Sequence, residues 1–236
     1  MKPLGPMYKG HDIEGLALHP FNKELLYGSA GDHAKVPDKE NQGKGHVYTI
    51  HRETGELTWI GATGFEKVSG LAFNPHDHQL WGWARNEASK NQWTGIITID
   101  PETGIGTPVK QFDYRQHDMG GLTWNYEGTK LYASGDSTLW VYDVETQTID
   151  VACENMVNGR IEGLDMQPNG FLLVGVDRKG KNNRETSILA YDPAEGKCEV
   201  VHKRVYKGLK YDDIESIVWP ARECNDLSWL SDQSTH

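Results

Sequence analysis

Short apolar runs at strand spacing, each bounded by glycine, proline, asparagine or aspartate, follow one another along the chain. Such runs read as β-strands, and no stretch keeps an apolar 3.6-residue period, so helices are predicted to be few and short. The runs also repeat. IEGLAL from Ile13 returns as VSGLAF from Val68, MGGLTW from Met119, IEGLDM from Ile161 and IESIVW from Ile214. The second residues of these copies fall at 14, 69, 120, 162 and 215, in steps of 55, 51, 42 and 53, which is the spacing of propeller blades.

A second signature follows each of the first four copies: HVYTIHRETGEL from His46, GIITIDPETGIG from Gly95, TLWVYDVETQTI from Thr138 and SILAYDPAEGKC from Ser187. Each reads as strand, tight turn and strand, with Pro101 or Pro193 fixing φ and Gly104 or Gly196 freeing it. Between the signatures lie ELLYGSAG, QLWGWARN, KLYASGDS and FLLVGVDR, which supply one more strand per repeat. The predicted fold is all-β, a single five-bladed β-propeller over residues 1–236 with four antiparallel strands (A to D) per blade. The fifth blade is expected to be incomplete, with a second strand from Leu227 to Leu230, or to be closed by an outer strand from residues 1–10.

Composition sharpens this picture only in part. Eight tryptophans can fill the spaces between sheets; Trp81 and Trp83 are expected there, and Trp93, in a polar loop, is expected to make an exposed contact. A formal net charge of −10 gives no basic field for phosphate backbones, so nucleic acid is not an expected partner. No apolar run reaches the roughly 20 residues of a membrane span, so membrane insertion is not expected. The start of the chain lacks an apolar signal, which leaves the compartment open; a secreted or periplasmic chain whose signal has been removed is one expectation. Cys153, Cys198 and Cys224 show no metal-ligand spacing and allow at most one disulfide.

In a meander, the D-to-A and B-to-C connections share one face, and the long irregular loops, such as GDHAKVPDKENQGKG, belong to that set. Long loops on a rigid scaffold concentrate binding groups. The A strands open at the same face with Glu14, Ser69, Gly120, Glu162 and Glu215, followed by Gly15, Gly70, Gly121, Gly163 and Ser216. Three carboxylates and a hydroxyl gathered on one axis raise each other's pKa or call for a cation, and calcium suits such oxygen donors best. The other reading is a tunnel plugged by water and backbone hydrogen bonds, with no metal.

The repeated EGL-type strand opening with its Glu/Ser ring resembles the five-bladed propellers built around a central calcium, among them soluble calcium-activated nucleotidase and, more loosely, the phytase-like propellers. The resemblance covers the repeat organisation of nearly the whole chain but only a few residues per blade. It implies calcium on Glu14, Ser69, Glu162 and Glu215, while Gly120 departs from the pattern and offers only a carbonyl. Asp12, Asp118, Arg160 and Asp213, just ahead of the ring, are candidate ligand-binding groups or, equally in kind, caps of strand-entry turns. No GxSxG, HExxH or phosphate-cradling glycine loop is present. The expected function is a non-catalytic propeller with a central calcium, binding a small molecule, a glycan or a protein at the tunnel mouth. The alternative is a calcium-dependent hydrolase of a phosphate ester, nucleotide or glycan.

Overall fold

The computed structural model describes residues 5–22, 24–86, 92–113, 119–178, 185–194, 196–207 and 215–218. Among these residues, sixteen strands form four antiparallel sheets, each a meander in chain order. The first holds β1 (Ile13–Leu18), β2 (Leu25–Ala30), β3 (His46–His51) and β4 (Leu57–Ala62). The second holds β5 (Lys67–Phe73), β6 (Leu80–Asn86), β7 (Trp93–Ile99) and β8 (Gly106–Gln111). The third holds β9 (Leu122–Trp124), β10 (Lys130–Gly135), β11 (Thr138–Asp143) and β12 (Thr148–Cys153). The fourth holds β13 (Arg160–Met166), β14 (Leu172–Arg178), β15 (Glu185–Tyr191) and β16 (Val200–Lys207).

The C-to-D turns close as their residues require. Asp100 accepts backbone N–H bonds from Glu102 and Thr103 at 2.8 and 3.1 Å, and Gly104 takes φ +76°, a left-handed value that glycine adopts without strain. Successive sheets pack face to face. Tyr27, Val47, Val68, Leu80 and Ile97 fill the space between the first and second; Trp81, Trp83, Trp124, Leu131 and Tyr142 fill that between the second and third. Tyr132, Leu139, Ile161, Leu164 and Tyr191 fill the next. Trp83, 1% exposed, lies flat on Phe112, so the two tryptophans expected in the core are there. Trp93 is half-buried against Phe65 at 4.9 Å, because β7 begins at Trp93 itself, two residues before Gly95, and so takes the ring out of the loop.

The A strands approach one another at the small residues. A Cβ on Gly15 would lie 3.2 Å from Gly70 Cα, one on Gly121 2.6 Å from Leu164 N, and one on Gly163 2.6 Å from Ile217 N. Residues 215–218, the fifth copy of the motif, therefore lie against β13, and Ser216 Oγ accepts a hydrogen bond from Leu16 N at 3.2 Å. That short segment touches both the fourth sheet and the first.

Residues 5–12 contain no strand. Gly5 and Gly10 at φ +75° and +82° interrupt any ladder there, and the segment packs on the first sheet instead, with Tyr8 Oη accepting from Leu57 N at 3.0 Å. Leu227 to Leu230 lie outside the described residues. Cys153 and Cys198 are disulfide-bonded across the third and fourth sheets, with Cα atoms 5.5 Å apart. Among the described residues no helix is long and apolar enough to cross a membrane.

Candidate functional site

The motif's varying position has a structural identity that the sequence alone does not reveal. Ladder pairing passes from Ile13 to Gly15, from Val68 to Gly70 and from Ile161 to Gly163. Glu14, Ser69 and Glu162 are each the extra residue of a β-bulge. A bulge bends its strand and re-aims the side chain that the ladder would otherwise fix. In each of these three sheets, the bulge sits at the end of the A strand that pairs with the last residues of the B strand.

Each of these side chains has a partner. Glu14 Oε2 accepts from Lys67 Nζ at 2.8 Å. Ser69 Oγ donates to the carbonyl of Met119, tying the second sheet to the third as Ser29 Oγ, donating to Val68 O at 2.7 Å, ties the first to the second. Glu162, buried, lies 3.4 Å from Arg160 Nε, and Arg160 also reaches Asp136 at 3.6 Å. Glu215 is exposed, and its charge is felt at Glu14.

The structure builds a different cluster around Glu14. Ligand atoms of Asp12, Glu14, Asp32 and His33 lie within 4.8 Å of one another, a group of which Glu162 and Glu215 are not members. Asp12, at φ +49°, accepts from Gly31 N through its carbonyl and from His33 N through Oδ2, both at 2.8 Å. Gly31 lies directly under these carboxylates: a Cβ there would overlap Glu14 Oε1 and lie 2.6 Å from Asp12 Oδ2, so a side chain at 31 would displace both. Arg85 Nη2 donates to Asp32 Oδ2 at 3.2 Å, and Lys67 Nζ stands 3.9 Å from Asp32 Oδ1. The result is a chain of alternating charge, Glu14–Lys67–Asp32–Arg85, running from the first sheet to the second.

Its electrostatics follow from position. Burial pushes the Glu14 carboxyl above the usual range; Lys67 opposes this, while Asp12 and Glu215 add to it. Burial also acts upward on Asp32, but Lys67 and Arg85 outweigh it and hold that carboxyl below its usual range. Lys67 is the residue that reading the sequence passed over. It occupies the same column, two before the bulge, as Asp12, Asp118, Arg160 and Asp213, and that alignment was the signal. Asp118 and Asp213 lie outside the described residues.

A second concavity opens at the opposite end of the axis, a cavity of about 180 Å³. Its wall combines Leu16, Leu71, Leu122 and Leu164 of the four A strands with Val218 of the fifth motif copy. Side chains from all five copies thus border one axial space. The fold is a β-propeller.

Comparison with solved structures agrees. Over 82% of each chain, this propeller superposes on one from a nidogen/laminin complex with a TM-score of 0.50 and 13% identity. It also superposes on the PQQ-bound form of aldose sugar dehydrogenase from Streptomyces coelicolor, with a TM-score of 0.51 and 14% identity, over 82% of this chain and 63% of that one. At such identities the likeness carries the fold alone. No family model matches the sequence, and no curated protein matches it.

Proposed function

We propose that the chain is a five-bladed propeller acting as a non-catalytic ligand-binding or protein-interaction module, with its recognising groups at the mouth bordered by the long loops. Five blades are supported by the fifth motif copy, where Ser216 stands in the column of Gly15, Gly70, Gly121 and Gly163 and bonds back to Leu16. The binding role is supported chiefly by one observation. Two of the mouth's carboxylates, Glu14 and Asp32, are matched by the protein's own cations, Lys67 and Arg85, on rigid strands beside a long loop. Fixed charges of both signs form a polar docking platform that favours a partner of complementary charge.

A resident divalent cation, calcium in the first instance, is the second reading. The proximity of Asp12, Glu14, Asp32 and His33 favours it. Such an ion would compete with Lys67 for Glu14, and an imidazole among the donors departs from calcium's oxygen shell. The hydrolase reading draws on Asp12, Asp118, Arg160 and Asp213, of which Asp118 and Asp213 lie outside the described residues.

The test is a panel of sugars, glycans, nucleotides, phosphate esters and peptides, read by thermal shift and by turnover, with added calcium and with chelator. The binding-module reading expects a stabilising ligand without turnover and a melting midpoint indifferent to chelator. A calcium-dependent rise reversed by chelator would establish the cation, and chelator-sensitive turnover would replace the proposal with the hydrolase.

A further inference from the structure

The loop between β2 and β3 is anchored at both ends and clasped in the middle. Lys35 N donates to Gly10 O at 2.7 Å, and Gly45 O accepts from Thr63 N at 3.2 Å and from Thr63 Oγ1 at 2.7 Å. Between these anchors the chain doubles back through Asn41 and Gln42, both left-handed at φ +47° and +57°. Neither is glycine, so the conformation is costly and persists only while its surroundings impose it. Val36 N donates to Gln42 O at 2.8 Å and Gln42 N to Lys39 O at 3.0 Å, closing the turn on itself. Asp32 and His33, at the head of the same loop, belong to the charged cluster of the mouth.

The turn rests on a stack of three side chains. Lys39 Nζ lies 3.8 Å from the centre of the Trp59 ring, and Trp59 Nε1 donates to His46 Nδ1 at 3.0 Å. His46 is fully buried, while Trp59 is 46% exposed. An indole nitrogen only donates, so His46 Nδ1 presents its lone pair and the neutral ring keeps its proton on Nε2. A second proton would go to Nδ1 and set donor against donor. The bond to Trp59 would break, and the new cation would stand near Lys39, whose charge already opposes one on this ring.

The charges that bear on His46 come from the loop. Burial is the strongest influence and holds the imidazole below the ordinary histidine value; Glu40 favours protonation through its backbone and its charge, and Lys39 opposes it. From β4 the ring meets the uncharged indole, and Tyr48, on the same face of β3, has its phenol pushed up by burial. Proton uptake is therefore favoured by any arrangement that returns the His46 ring to water. We infer that residues 36–44 form an acid-released latch beside the mouth: protonation of His46 breaks its bond to Trp59 and lets the strained turn open between the anchors at Lys35 and Gly45. This goes beyond the binding role, since it concerns the loop whether or not a ligand is present.

The experiment is hydrogen exchange of the full chain at about pH 7.5 and about pH 5, on either side of the ordinary histidine value, with the intrinsic rates corrected for pH. The amides of residues 36–44 are expected to lose protection about three- to tenfold in acid, the worth of one hydrogen bond, while those of β6 and β7 keep theirs. His46→Asn puts an amide oxygen in the place of Nδ1, an acceptor that does not titrate, and should make protection of the loop equal at both pH values. Trp59→Phe, at an exposed position where folding is not at stake, removes the donor; it should bring the loop at neutrality to the wild-type acid level, with no further loss in acid. His33, and His11 packed edge-on against Tyr48 at 5.4 Å, keep their imidazoles in both variants, so an acid step that survives the substitutions would belong to them and overturn the inference. An absent step in the wild-type chain, or one shared by β6 and β7, would overturn it as well.

Discussion

Replacing Lys67 by methionine keeps most of the side chain's volume and removes the ammonium that joins Glu14 to Asp32. At an effective dielectric of about 20 the bare attraction across 2.8 Å is about 6 kcal/mol, an upper bound from which the desolvation of both ions must be subtracted. Breaking a buried pair costs about 3–5 kcal/mol, and an exposed pair is worth about 0.2–1 kcal/mol. Lys67 and Glu14 have side chains 17% and 13% exposed, nearer the buried limit, so a loss of about 2–3 kcal/mol follows, or roughly 4–12 °C in melting midpoint for a chain of this size.

The loss should depend on pH, and its sign can be worked out. Glu14 lies above its ordinary pKa, so its contribution to stability is full in acid and fades as pH rises through the folded-state value. Without Lys67 that value climbs further, and the penalty at neutrality grows. Asp32 is held low; it stabilises above its ordinary range and stops doing so as pH falls. Without Lys67 that gain shrinks, again at neutrality. The variant's deficit is therefore largest at about pH 7 and smaller near about pH 4, where Glu14, held high, is protonated while Asp32, held low, keeps its charge. Calorimetry at both pH values, in a double-mutant cycle with Glu14→Gln, should give a coupling of about 1.5–3 kcal/mol at neutrality. A coupling below about 0.5 kcal/mol, or a deficit indifferent to pH, would refute the reasoning.

Other perturbations probe the ring. Gly121→Ala places a methyl 2.6 Å from Leu164 N and 2.9 Å from Gly163 C, both backbone, so a loss at the upper end of the roughly 1–3 kcal/mol range for overpacking is expected in urea denaturation; an unchanged midpoint would mean that the sheets are free to part. Ser216→Ala removes the acceptor of Leu16 N and should cost about 1 kcal/mol, with faster hydrogen exchange at that amide as the specific sign. Reduction of Cys153–Cys198, 45 residues apart, should lower stability by up to about 4 kcal/mol on loop entropy, and Cys153→Ala should make the chain insensitive to reductant.

The repeat exposed the architecture because each sheet must bury both faces against its neighbours, and that demand stamps the same apolar pattern on every copy. Asp-Pro-x-x-Gly announced its turns by the same local logic, since φ is set by the residues themselves. The side-chain partners at the mouth were not legible, because they are decided by register. One extra residue in the ladder at Glu14, Ser69 and Glu162 re-aims these groups, and no pattern within a single strand marks a bulge. Carboxylates read in isolation called for an ion, and nothing in the sequence showed that Lys67, from the neighbouring sheet, stands beside Glu14. The axial cavity escaped notice for a related reason. Its wall is assembled from three residues of each of the first four copies and one of the fifth, and the longer loops mark the opposite face.

The account depends on the fifth motif copy completing the ring between the fourth sheet and the first. Scanning calorimetry of the chain ended after Lys207, beside the full chain, tests this most directly. Loss of the cooperative transition, or a midpoint lower by at least about 10 °C, is the expected result. A shortened chain that melts cooperatively at the full-length midpoint would mean that four sheets close on themselves, contradicting the five-fold axis.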